Sequence, residues 1–262
     1  MLYVEGYTLD EFFKGNIGLK ESFANKIGVV FDRAIPKNVL NVHLNTINAV
    51  KAVYGVNVIG YDITEEDVGV EFFIEKGVST GNVKNMSVVI KSAKKLIEKG
   101  ADAIAIVCLF EESEDEEYSS GIGVDPVGGV EAIISHYVSR ELKIPCAHAP
   151  AFKNIQIDST IVDARVASEY ITPTFLPCVL LGLNNAPDIT VSKDGFTVDM
   201  LDYVVFPHNA LGGVPVFESL KRGIKLFAVK ENKSVLNVTN NALLGTNDII
   251  TVDSYSDVLE ML

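Results

Sequence analysis

The stretch "DAIAIVCLF", Asp102 to Phe110, is the strongest constraint on what this chain can fold into, because nothing polar follows its first residue. A strand of that kind has no face to turn to water. It belongs inside a parallel sheet, with helices above and below. The rest of the chain supplies its partners. "KIGVVFD" (Lys26 to Asp32) and "VNVIGYD" are β-branched runs bounded by polar residues. Between them, "PKNVLNVHLNTINAVKAVYG" sets Val39, Val42, Ile47, Val50 and Val53 on roughly one helical face, with Pro36 near its start and Gly55 at its end. "VKNMSVVIKSAKKLIEKGAD" predicts a helix closed by Gly100, and "PVGGVEAIISHYVSREL" a helix leading to the strand "KIPCAHAP".

Further on, "LDYVVFPHNALGG" reads as a strand and loop, and "IKLFAVKEN" and "DIITVD" as strands. "VPVFESLKRG" and "SYSDVLEML" read as helices, the last capped by Ser254 or Ser256. Strands alternating with helices imply right-handed parallel crossovers. The expected fold is therefore α/β: a Rossmann-like, doubly wound, mostly parallel sheet with helices on both faces. Residues 154–200 fit it less well and read as a small irregular insertion, with "DITVSKDGFTVDM" as a hairpin about Asp194-Gly195. Residues 1–262 read as one α/β domain, or as two interleaved lobes.

Composition removes several functions. A net charge of −13 opposes nucleic-acid binding, which needs a basic surface to displace counterions. An anionic small molecule remains compatible with an acidic surface, because helix N-termini are locally positive. Three cysteines, Cys108, Cys146 and Cys178, argue against a disulfide framework and for a reducing compartment. "MLYVEGYTLDEFFKG" lacks the basic start of a secretory signal, and "FLPCVLLGL" is too short to span a membrane. The expectation is a soluble cytoplasmic protein with no nucleic-acid or membrane partner; self-association is left open.

Where βα loops meet at the carboxyl edge of such a sheet, ligands bind, and the unusual residues fall there. "SSGIGVDPVGGVEA" offers Ser119, Ser120, Gly121, Gly123, Gly128, Gly129 and Glu131 around Asp125, just before a helix. Its spacing is neither a Walker loop nor a dinucleotide fingerprint. It is either an anion cradle or a tight helix-packing turn. "CAHAPA" puts Cys146 and His148 on one face of a strand, as nucleophile and base or as an inert thiol beside a structural histidine. "FPHNALGGVPV" places His208 and Asn209 after a strand, and Gly212-Gly213 ahead of a helix with proline in its first turn. Asp158 is a candidate base or a helix cap. Lys230, Glu231 and Asn232 end a strand at the same edge. His43 and His136 read as structural. The acidic run Glu111 to Glu117 reads as a solvated loop. The histidines and Asp125 show no tight ligand pair, so no metal or cofactor is assigned.

The catalytic candidates are thus Asp125, His148, Asp158 and His208, and the ligand is a small anionic or phosphorylated metabolite held by the two glycine loops. The rival expectation is a non-catalytic binding protein on the same scaffold.

"GVDPVGGVEAIISHYVSRELKIPCAHAPAF", "FPHNALGGVPV" and "IKLFAVKENKSVLNVT" together resemble the domain-of-unknown-function family numbered 3326, from about Asp125 to the C-terminus. The resemblance implies a backbone role for Gly212 and Gly213 and carries over no catalytic residue. Where the family's loops lead into the glycines with Asp-Ala or Ser-Ala, this chain has His208-Asn209-Ala210. "LIEKGADAIAIVCLFEE" is also similar to the strand of cofactor-independent amino-acid racemases that ends at a catalytic cysteine, here Cys108. Leu183 stands where those enzymes carry the partner thiol, so a two-thiol shuttle lacks one member.

Overall fold

The structure is a computed structural model that describes residues 3–111, 116–155, 159–164, 166–167, 174–191, 194–234, 236–243 and 245–262. Asp158 and the middle of the acidic run lie outside the described residues. Backbone contacts divide the chain into two compact units: Met1–Thr8 with Lys20–Ile189, and Leu9–Leu19 with Thr190–Leu262. The division falls within the first helix, α1 (Gly6–Lys14).

The first unit is built on four parallel strands in the order β3-β2-β6-β7: β2 (Ile27–Phe31), β3 (Val58–Ile63), β6 (Ala103–Leu109) and β7 (Cys146–Ala151). Period-two alternation sorts their side chains onto two faces. Val29, Phe31, Ala105, Val107 and Ala149 face one core with α2 (Lys37–Tyr54) and α6 (Leu176–Asn184). Val30, Ile104, Ile106, Cys108 and Cys146 face a second core with α3 (Met86–Glu98) and α5 (Gly128–Leu142). Helices therefore cover both sheet faces, which is why β6 carries no polar side chain. Burying the leucines at 176, 180 and 183 on α6 contributes about 2 kcal/mol apiece.

Two expectations about elements need correction. On α2 the buried face is Val39, His43, Ile47 and Val50, while Val53 is exposed. His43 belongs to that face: its Nδ1 lies 2.9 Å from the Val39 carbonyl and its ring meets Phe31 edge-on. In "DITVSKDGFTVDM", Phe196 does not fold back in a hairpin; it bridges Leu19 antiparallel, with both backbone hydrogen bonds at 2.8 Å. An unanticipated hairpin does form, β4 (Val70–Glu75) with β5 (Val78–Val83), between β3 and α3. Its two-residue turn, Lys76-Gly77, has positive φ at both positions, the backbone a tight hairpin requires.

The second unit carries three parallel strands, β9 (Tyr203–Pro207), β10 (Lys225–Val229) and β11 (Ile249–Val252), with β10 central. Phe227, Val229, Val252 and Val258 form its core, with α7 (Val214–Arg222) on the connection from β9 to β10 and α9 (Tyr255–Glu260) following β11. Ser254 caps α9: its hydroxyl accepts from the Asp257 amide while the Asp257 carboxylate accepts from the Ser254 amide, a reciprocal capping box.

Candidate functional site

The two glycine loops fall in different units, so each is described on its own terms. In the first unit, Gly128 and Gly129 begin α5, and their surroundings are already filled. The Asp125 carboxylate accepts from the Val127 amide at 3.0 Å and also from Gly128; burial pushes its pKa up and these two bonds oppose the shift. The Gly129 amide donates to Ser79 Oγ at 2.9 Å, and that hydroxyl donates to the Pro126 carbonyl at 2.9 Å. A Cβ at Gly129 would collide with the Ser79 backbone carbonyl of β5. One at Gly128 would stand 2.8 Å from Asp125 Oδ2. The lack of a Cβ at Gly129 admits Ser79 of β5, and side chains of the unit itself, Asp125 and Ser79, cap the helix. Ahead of them, Gly121 and Gly123 take positive φ, Gly121 buried and Gly123 exposed, in the turn after Ser119 and Ser120. The Ser119 carbonyl accepts from the Asp163 amide.

His148 projects from β7 toward α5, on the same sheet face as Cys146, as the alternation predicts. Its Nδ1 lies 2.9 Å from Ser135 Oγ, and its Nε2 lies 4.0 Å from Glu131 Oε2. Burial first, then the nearby His136, lower its pKa to about 4, so at neutral pH the imidazole is uncharged. Glu131 lies on α5 itself and is buried. Two residues absent from the sequence reading complete this cluster. Ser135 is one turn beyond Glu131 and back-bonds into its own helix. Glu5, buried, accepts from Ser135 Oγ at 3.4 Å and from the Thr8 amide, and lies 3.0 Å from His136 Nε2. The i, i+4 spacing of Glu131 and Ser135 is a visible signal; nothing in the sequence ties Glu5 to them. Asp32, at the end of β2, was also passed over: its carboxylate accepts from the amides of Ala34, Val68 and Leu109, tying three loops to one group.

The thiols of Cys108 and Cys146 are buried and pushed well above the ordinary range, chiefly by that burial. Neither suits a nucleophile, which must be thiolate. Leu183 lies in the core on the other side of the sheet from Cys108, so even a cysteine there would not complete a thiol pair. None of the three cysteines is disulfide-bonded. Among the described residues no group of three His, Cys, Asp or Glu is placed to hold a metal, and no helix is long and apolar enough to cross a membrane.

In the second unit, β9 ends at Pro207 and the chain turns through His208, Asn209, Ala210, Leu211 and Gly212 to Gly213, the N-cap of α7, at φ +89°. The Asn209 side chain braces the loop. Its amide donates to the carbonyls of Ser234 and Leu236, and its Oδ1 accepts from the Ser234 amide and hydroxyl. The His208 amide donates to the Val229 carbonyl at 3.0 Å, while its Nδ1 is buried without a hydrogen-bond partner. Lys230 pairs with Asp253 at 2.7 Å, Glu231 accepts from the Tyr255 amide and Asn232 donates to the Tyr255 hydroxyl, so the end of β10 braces the start of α9.

The chain belongs to the DUF3326 family of proteins of unknown function, whose model matches residues 1–262. The likeness thus extends past Asp125 to the whole chain. An uncharacterized lipoprotein of Synechococcus sp. is 35% identical over 245 residues, spanning 90% of this chain and 68% of that protein. No solved structure matches the chain.

Proposed function

We propose that this protein is an enzyme acting on a small anionic or phosphorylated metabolite, with the anion seated on the Gly212–Gly213 turn at the start of α7. Gly213 carries the reading. As an N-cap without a side chain it offers no side-chain acceptor to the first-turn amides of Val214 and Val216 at the positive end of a helix. The seat follows the carboxyl end of a parallel strand, where α/β sheets bind ligands. His208, one turn of loop away with an unpartnered Nδ1, is the acid–base group of this proposal. The non-catalytic alternative draws support from Asn209, whose side chain is consumed in bracing the loop.

The order β3-β2-β6-β7 reverses its winding between β2 and β6, which supports assigning the first unit to the Rossmann-like, doubly wound class. Three cysteines outside any disulfide support a cytoplasmic location; the Synechococcus relative, described as a lipoprotein, is the counter-indication.

The test titrates inorganic phosphate and a panel of phosphorylated and carboxylated metabolites into the native protein, Gly213→Val and His208→Ala. Gly213→Val is expected to weaken binding roughly ten-fold or more, the loss of about one charge-assisted hydrogen bond. His208→Ala keeps binding within a few-fold and abolishes turnover of any substrate found. Undiminished affinity in Gly213→Val would sink the seat. Turnover surviving in His208→Ala would remove its catalytic role.

A further inference from the structure

The first unit contains a chain of hydrogen-bonding groups that the anion seat does not use. His136 Nε2, with its side chain 46% exposed, lies 3.0 Å from Glu5 Oε1. Ser135 Oγ stands 3.4 Å from that same oxygen and 2.9 Å from His148 Nδ1. His148 Nε2 faces Glu131 Oε2 at 4.0 Å. Two helix residues, one strand residue and one residue of the N-terminal segment thus place four proton-carrying groups in line, running from solvent into the α5–β7 interface.

We propose that His136, Glu5, Ser135 and His148 form a proton relay that puts the buried edge of the His148 imidazole in exchange with solvent. In one passage His136 gives its Nε2 proton to Glu5 Oε1. Glu5 gives a proton to Ser135 Oγ as the serine hydroxyl gives its own to His148 Nδ1. His136 ends neutral and His148 protonated; Glu5 and Ser135 each regain the proton count they began with, so charge and atoms balance. Burial favours the required states, since it raises the pKa of Glu5 and keeps His148 uncharged.

The other groups facing the relay are held protonated or fixed. From the N-terminal segment, the Tyr3 hydroxyl donates to the Cys146 carbonyl and is pushed up by burial, then by Cys146 and Glu5. From β7 and β6, the thiols of Cys146 and Cys108 are likewise pushed up. Gly6 is what lets His136 approach: a Cβ there would stand 2.6 Å from His136 Nε2.

The test is exchange of the His148 ring N–H with water, read by imidazole 15N NMR on the full chain at matched pH. The native protein is expected to show faster exchange than any variant that breaks the line. Ser135→Ala should slow it by roughly a hundred-fold, the lower end of what a positioned proton carrier supplies. Through-space repulsion between the two imidazoles survives that substitution, so a midpoint shift alone would not mimic the effect. Glu5→Gln and the exposed change His136→Gln break the same line at other links and should slow exchange similarly, should Ser135→Ala fail to fold. Exchange unchanged in the variants that fold would overturn the relay.

Discussion

The imidazole of His148 stays neutral in the folded chain because burial removes the water that would solvate its cation, and His136 adds repulsion. Its pKa of about 4 lies below the ordinary 6.5, so between those values the unfolded chain takes up a proton that the folded one refuses. Stability is therefore complete above pH 6.5 and falls as pH drops toward 4, by up to about 3 kcal/mol. Glu5 acts oppositely: its raised pKa contributes stability below 4.5 that is lost as pH rises through the folded value. Urea denaturation of native protein and His148→Gln at steps from pH 7 to pH 4 separates them. The variant should show the shallower loss; parallel curves would mean His148 is not buried neutral. The thiols give a second residue-level outcome. Cys178 is exposed while Cys108 and Cys146 are buried, so a thiol reagent should label one cysteine in native protein and the other two only after unfolding.

At the scale of elements, what the sequence displays is periodicity, and what it hides is who covers whom. β2, α2, β3, α3, β6, α5, β7, β9, α7, β10, β11 and α9 follow from apolar runs, caps and helical spacing. The β4–β5 hairpin was illegible because its burial alternates weakly, with most side chains half or fully exposed, and its Lys76-Gly77 turn is a faint signal. That omission misled the site. Without the hairpin, Gly128-Gly129 looks like an empty cradle; with it, Gly129 is where β5 lies too close to α5 for a Cβ. Gly129→Ala should accordingly destabilise the protein by about 3 kcal/mol or more, since the obstructing atom belongs to backbone that has no rotamer to change. Ser254→Ala, removing the α9 cap, should cost about 1 kcal/mol. Chemical denaturation ranks the two, and a near-neutral Gly129→Ala would contradict the packing account. α6 was hidden for a different reason: it is apolar nearly all round, so "LPCVLLGLN" has no polar stripe to reveal its helical period.

For the whole molecule, local pattern identifies loops but not the body each loop belongs to. Gly128–Gly129 and Gly212–Gly213 look alike in sequence, each a glycine pair before a helix, yet one opens a helix of the first unit and the other a helix of the second. Their chemistry separates accordingly. Asp125 and Ser79 occupy the amides of the first pair, whereas Gly213 brings nothing to the start of α7. The most direct measurement is therefore a backbone-amide NMR titration with inorganic phosphate, with Gly128 and Gly129 as the internal reference. Saturable shifts concentrated at Gly213, Val214 and Val216, with His208 following and the α5 glycines still, are the predicted result. No saturable change at α7, or equal changes at Gly128 and Gly129, would contradict it.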